Sequence, residues 1–390
     1  MSATSYTANW NYPTAVRFGP GRIAELGAAC KAAGIARPLL VTDPGLAGLP
    51  MVANALAVCK EAGLGVGLFS DVRPNPVEAN LAAGLAVYRA GNHDGVIAFG
   101  GGSALDLGKL VAFMAGQTRP VWDFEDIGDW WTRADPAGIA PIVAVPTTSG
   151  TGSEVGRAGV ITDVTTHTKK VIFHPKMMPA IVIGDPELTV GLPPVITVGT
   201  GLDAFVHNFE AYCSPFFHPM AAGIAVEGMR LVKEYLPRAT RDGKDIEARA
   251  NMMASAMMGA AAFQKGLGAV HSMSHPVGSL FDTHHGMTNA VFLPYVVVYN
   301  RPAIEERVIR LAAWLGLKDA SFKGFLDWIL EIRAELGVPH TLPEFGVGDD
   351  KIDLVAEMAV VDPTAGGNPV PLDVAGAKGI YKAAMEGRIG

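Results

Sequence analysis

The sequence predicts an α/β amino-terminal domain built on a parallel sheet, followed by an all-α carboxy-terminal domain. Three observations carry that prediction. Up to about residue 185, short apolar runs rich in β-branched residues alternate with alanine-rich helical patterns, the order that makes βαβ units. After Pro186 long helical patterns dominate. Between the two textures lies GDPELTVGLPP, where proline and glycine cluster and regular structure breaks. The domains are therefore placed at 1–187 and 188–390.

The strand runs are Pro38–Thr42, Gly65–Ser70, Gly95–Phe99, Ile139–Val145, Gly159–Thr162 and Ala180–Gly184. Helical stretches such as Met51–Ala62 and Glu78–Ala90 separate the first three. Runs such as LLVT and GVIAF are apolar without interruption, as in strands covered on both faces. FGPGRIAELG (18–27) holds a GxG, but no clear strand precedes it. The helical half offers Thr197–Tyr212, Met220–Tyr235, Asp245–Gln264, Ala303–Leu315 and Phe322–Leu336. VVVY at 296–299 has strand propensity yet is too short to assign by pattern alone.

Composition removes several function classes. The chain has 390 residues and a formal charge of -7, which argues against broad electrostatic binding of nucleic acid. At 49% hydrophobic it is not a disordered solvator. No apolar run reaches the roughly 18 residues of a membrane helix. MSATSYTANWNY lacks the basic and apolar regions of a secretory signal. Cys30, Cys59 and Cys213 are odd in number and far apart, as expected of free thiols in a reducing cytoplasm.

Two loops follow apolar strands. GVIAFGGGSALDLGK (95–109) reads as strand, glycine loop and helix. Gly100, Gly101 and Gly102 let a ligand approach the backbone. Ser103 can cap the helix, whose first N–H groups suit a phosphate. Asp106, one turn in, favours the helix dipole. AVPTTSGTGSE (144–154) presents Thr147, Thr148, Ser149, Thr151 and Ser153 as a polar cradle. Ligands of open α/β sheets bind at the carboxyl ends of strands. Asp43, which ends LLVTD, can bond a dinucleotide ribose and repel a 2′-phosphate, favouring NAD over NADP; as part of D-P-G it also reads as a turn-initiating residue.

Four of the ten histidines, His271, His275, His284 and His285, fall within one 15-residue stretch. His271 and His275 are i and i+4, on one face of a helix. Pro276 and Gly278 disturb that helix, so His284 and His285 are expected to return from a turn. Upstream, Asp203 and His207 share the same spacing on the otherwise apolar GTGLDAFVHNFEAY. A buried carboxylate and imidazole need a partner. One Asp and three His make an N/O ligand set for a divalent transition metal, and softness does not separate Fe(II) from Zn(II).

Taken together, VTD, RPNP, GGGSALDLGK, PTTSGTGSE, GLDAFVHNFEAY and HSMSHPVG…HHG resemble the motifs of the iron-containing (group III) alcohol dehydrogenases, over roughly residues 15–300. That family includes lactaldehyde reductases and 1,3-propanediol dehydrogenases. The resemblance implies a dinucleotide-binding domain over 1–187, a helical metal-binding domain over 188–390 and catalysis in the cleft between them. It implies Asp203, His207, His271 and His285 as ligands of Fe2+, with Zn2+ as the alternative. His275 would stand beside the metal without binding it, and His284 would not be a ligand. Cofactor contacts would be Asp43, Asn75, Gly101, Gly102, Ser103, Thr147, Thr148 and Lys169, the last having Lys170 as a neighbour. The filled ligand set counts against the maleylacetate-reductase branch, and the motifs differ from those of dehydroquinate synthases.

The expected function is hydride transfer between NAD(H) and a small alcohol or aldehyde, with His275 relaying the hydroxyl proton. The expected setting is a cytoplasmic homodimer or larger homo-oligomer with no membrane or nucleic-acid partner. One alternative is a relative acting on a hydroxy acid such as 4-hydroxybutyrate. Arg157 or Lys265 could then meet the carboxylate, although surface solvation is their expected role. A different class is a non-catalytic nucleotide-binding module with a structural metal.

Overall fold

The computed structural model describes residues 12, 14–166 and 168–390. They form two units, the first ending at Gly191 and the second running over Leu192–Gly390. The expected division lay four residues earlier. Leu188 belongs to the core of the first unit, and Asp185 accepts hydrogen bonds from the backbone N–H groups of Gly21 and Ile23. The segment after Pro186 is therefore tied to the α/β unit.

The α/β unit contains strands β1 (Ala15–Phe18), β2 (Pro38–Val41), β3 (Gly67–Phe69), β4 (Gly95–Gly100), β5 (Ile142–Pro146), β6 (Ala158–Asp163), β7 (Thr168–Phe173) and β8 (Ile181–Gly184). Its helices are α1 (Leu26–Ala32), α2 (Pro44–Ala47), α3 (Pro50–Glu61), α4 (Glu78–Ala90) and α5 (Gly102–Met114). Six strands form a parallel sheet in the order β1-β8-β5-β4-β2-β3. The continuous apolar runs β2, β4, β5 and β8 are buried at every residue, as the pattern required. α1 and α3 contribute Leu26, Cys30, Val52 and Cys59 to the core on one face.

Two strands lacked a clear signal. β1 precedes FGPGRIAELG after all, but it is a half-exposed edge strand paired only with β8. β6 does not join the main sheet. It pairs antiparallel with β7, whose sequence TKKVIF is too charged to announce a buried strand.

Among its described residues, the second unit is helical: α6 (Pro194–Cys213), α7 (Pro219–Arg241), α8 (Ile246–Ala262), α9 (Ala269–Phe281), α10 (His285–Trp314), α11 (Phe322–Glu335), α12 (Ile352–Val361) and α13 (Val374–Glu386). α6 is buried at nearly every residue from Thr197 to Cys213 and packs against α7, α8 and α10. VVVY lies in the middle of α10, where burial of Val296 and Val297 in the core overrides local propensity. Pro276 does not end α9. It removes one backbone donor, but the helix continues to Phe281.

Candidate active site

The helical unit brings its polar residues together from three helices. Asp203, His207 and Glu210 lie on one face of α6, at i, i+4 and i+7. His271 and His275 come from α9, and His285 is the first residue of α10. Asp203 Oδ1 lies 3.8 Å from His207 Nε2, 3.8 Å from His271 Nε2 and 3.6 Å from His285 Nε2. Among the described residues, Asp203, His207 and His271, all buried, form a group able to hold a metal ion. A tetrahedral shell with bonds of about 2.0–2.1 Å places its ligands roughly 3.3 Å apart. The observed separations exceed that by a few tenths of an ångström, so the donor set fits a divalent cation.

Local packing permits this convergence. A Cβ on Gly286 would come within 2.1 Å of the Gly199 carbonyl oxygen. The absence of that side chain lets α10 approach the backbone of α6 one turn before Asp203. His271 and His207 stack with centroids 4.7 Å apart. His284 caps α10 by accepting from Met287 N–H at 3.3 Å, so it has a local structural task.

Three neighbours had not been singled out. Glu210 Oε2 accepts from His271 Nδ1 at 2.6 Å. Burial disfavours the imidazolium, but the carboxylates of Glu210, Asp203 and Asp362 together outweigh it and raise the His271 pKa. Asp362 Oδ2 lies 2.8 Å from His275 Nδ1. Burial raises the Asp362 carboxyl, yet His275 and hydrogen bonds from Thr364 hold it below the ordinary range. Asn289 Nδ2 donates to Asp203 Oδ1 at 2.8 Å and lies 3.3 Å and 3.2 Å from Nε2 of His271 and His285. Glu210 and Asn289 carried a periodic signal, one turn from His207 and from His285. Asp362 stands 87 residues from its partner, and no local pattern marks it.

In the α/β unit, Asp43, the GGGS loop and the PTTSGTGSE loop leave the carboxyl ends of three neighbouring strands, β2, β4 and β5. From β2 the chain steps outward to β3, then returns to β4 on the other side of β2. This reversal makes the crevice in which open α/β sheets bind ligands. Gly100 has φ +141°, and a Cβ there would meet Ala104 Cβ at 2.8 Å. Asp43 Oδ2 would be 3.5 Å from that same Cβ position. Asp43 caps α2, accepting from Leu46 N–H at 3.0 Å, as its reading as a turn-initiating residue expects.

Helix α5 starts at Gly102 with Gly101 as its N-cap, and no side chain caps it. Ser103 therefore does not play the capping part expected of it. Asp106 does more than face a dipole. It accepts from Ser153 Oγ at 2.5 Å and from Val160 N–H at 3.1 Å. Lys109, 1% exposed, donates to the carbonyls of Ser153 and Ala158. Burial lowers the Lys109 pKa against the pull of Asp106, and it pushes Glu154 up to about 7 despite Lys109. This buried network ties the two loops to each other.

Thr147 N–H donates to Gly100 O at 3.0 Å, and a Cβ on Gly101 would lie 3.3 Å from Thr148 Cγ2. Asn75, with φ 53°, sits beside the β6–β7 hairpin, because Thr162 N–H donates to Pro76 O at 2.8 Å and Thr162 pairs with Lys169. Lys170 is engaged by Glu125 and Asp163, at 3.3 Å each; alternation along β7 turns Lys169 to the other face. Of the two residues expected at a solvated surface, one is placed otherwise and one is part-exposed. Lys265 is buried, its amine donating to Tyr212 O at 2.9 Å, and burial brings its pKa down to about 8. The Arg157 guanidinium lies 5.3 Å from the Phe173 ring centroid.

The chain matches family models along most of its length: iron-containing alcohol dehydrogenase over residues 13–186 and the C-terminal model of the Fe-containing alcohol dehydrogenase family over 197–385. It is 38% identical to a 4-hydroxybutyrate dehydrogenase of Cupriavidus necator, covering 96% of this chain and 99% of the relative. It is 34% identical to an NAD-dependent methanol dehydrogenase of Bacillus methanolicus, over 97% and 100% of the two chains. A crystal structure of 1,3-propanediol oxidoreductase superposes with a TM-score of 0.92 at 34% identity, covering 97% of this chain and 100% of that one. The α/β sheet, the helical unit, the motifs and these similarities agree: the chain belongs to the iron-containing alcohol dehydrogenase family and is an oxidoreductase of the alcohol dehydrogenase type.

Proposed function

We propose that this chain transfers hydride between NAD(H) and a small alcohol or aldehyde, beside a divalent cation held by Asp203, His207, His271 and His285. The observation that carries the reading is the approach of three imidazole Nε2 atoms to one carboxylate oxygen, at 3.6–3.8 Å. When bound, the cation supplies Lewis acidity toward the substrate oxygen and the nicotinamide supplies the carbon that carries hydride. Iron is the metal proposed, with zinc as the alternative.

The chain's own residues bind, orient and move a proton. Gly101, Gly102, Ser103 and the first N–H groups of α5 receive the pyrophosphate. Thr147, Thr148, Asn75 and Lys169 surround the rest of the dinucleotide, and Asp43 opposes a 2′-phosphate. His275, its Nδ1 held by Asp362, relays the hydroxyl proton through Nε2. Its side chain is 22% exposed, which gives that proton a route to water. We place the enzyme in the cytoplasm as a homodimer or larger homo-oligomer. Its three cysteines are free and buried, and no described helix is long and apolar enough to cross a membrane.

Similarity to a 4-hydroxybutyrate dehydrogenase favours a second reading, in which the substrate is a hydroxy acid. Lys265 does not support it, because its amine is committed to the end of α6. Anaerobic purification, metal analysis and NADH and NADPH oxidation against propanal, butanal and succinic semialdehyde test both readings. The expected result is one bound divalent metal per chain and NADH oxidation with the uncharged aldehydes. A strong preference for succinic semialdehyde would select the second reading. Bound metal with no oxidation of NADH by any aldehyde would indicate a nucleotide-binding module.

A further inference from the structure

His271 can serve a metal only if its Nε2 is unprotonated and faces the other donors. Which ring nitrogen of an imidazole carries the proton is set by the partner of the other nitrogen. Here that partner is Glu210, with Oε2 at 2.6 Å from His271 Nδ1, a short contact typical of charge-assisted hydrogen bonds. The second oxygen, Oε1, accepts from Val270 N–H at 2.7 Å. Both oxygens of one buried carboxylate are thus spent on adjacent residues of α9. That fixes the direction of the His271 ring as well as its tautomer.

The carboxylate comes from the same face of α6 that carries Asp203 and His207. Space behind it is reserved: a Cβ on Gly268 would lie 3.1 Å from Glu210 Oε1.

We propose that Glu210 is a positioning residue of the metal centre, orienting His271 so that its Nε2 joins Asp203 and His207. This rests on the metal reading given above. The other task open to Glu210 is structural, tying the first turn of α9 to α6 without bearing on the metal. The two roles separate when Co2+ is titrated into metal-free, full-length protein and its visible d–d bands are followed.

Wild type should bind one Co2+. Glu210→Gln should weaken that binding by about 10- to 100-fold and alter the bands, with Glu210→Ala weaker still. Melting curves of the metal-free forms report the structural task by itself. If Glu210→Gln loses thermal stability but binds Co2+ as wild type does, with the same bands, the proposal is overturned while the metal reading stands. If wild type binds no Co2+, both fall. Should neither variant fold, ring-nitrogen NMR of metal-free wild type decides. A proton on His271 Nδ1 supports the proposal, and one on Nε2 with Nδ1 bare overturns it.

Discussion

The two units build their candidate sites from different material. In the α/β unit the cradle is mainly backbone: three strand ends, a glycine run and an uncapped helix start. In the helical unit the site is made of side chains, brought together from α6, α9 and α10. A backbone site is damaged chiefly by adding atoms, which block close approach. A side-chain site is damaged chiefly by removing them, which leaves an ion or a charge unpaired. The same class of mutation should therefore have opposite consequences in the two halves.

The largest effect should come from truncation in the helical unit. His207→Ala or His271→Ala should lose the bound metal and at least about 10³-fold in kcat/KM, since a Lewis acid contributes several kcal/mol. Metal analysis beside kinetics checks this; full metal with normal turnover would break the comparison. Next is the charge buried beneath the loops. Glu154 titrates at about 7 in the fold, against an ordinary 4.5, because burial disfavours its anion. The folded state then binds this proton more tightly than the unfolded chain does. Stability should be highest below about pH 4.5 on this account and fall as pH rises through 7, by about 3 kcal/mol. Glu154→Gln should flatten that slope in denaturant melts run at pH 5 and pH 8.

Addition of a single methyl group is the third probe. Gly100→Ala combines a positive φ with a 2.8 Å approach to Ala104 Cβ. It should cost about 1–3 kcal/mol of stability and raise KM for NADH, while metal content stays at the wild-type level. Thr148→Ala, which only removes atoms from the same cradle, should change KM by less. The smallest effect concerns cofactor choice. Asp43 caps α2 and, in the function proposed above, would oppose a 2′-phosphate. Asp43→Ser keeps a capping oxygen and removes the charge, so activity with NADPH should rise with little change in melting temperature. No gain with NADPH would remove Asp43 from the specificity role.

What could be read in advance divides along the same line. The glycine run and the two i, i+4 pairs on α6 and α9 were legible because their meaning is local. The central strands were legible because parallel strands covered on both faces cannot be polar. β1 and β7 were not, since partly exposed strands follow no continuous apolar pattern. The task of Asp106 was misread from its place in the helix, because its partners Ser153 and Val160 arrive from another loop. Asp362 had no signal, since its meaning lies wholly in tertiary contact with His275. The turn before His284 and His285 was legible, since α9 ends at Phe281 and α10 begins at His285, although Pro276 itself is carried inside α9.

The contact between Gly199 and Gly286 extends this point to the reading of relatives. With a carbonyl oxygen 2.1 Å from where a Cβ would stand, even alanine at 286 must force α10 outward, carrying His285 away from Asp203. A family member could therefore keep all four donor residues and still have a dismantled centre. Any inventory that scores metal competence by donor residues alone would count such a chain as active. The diagnostic position is one that never touches the ion.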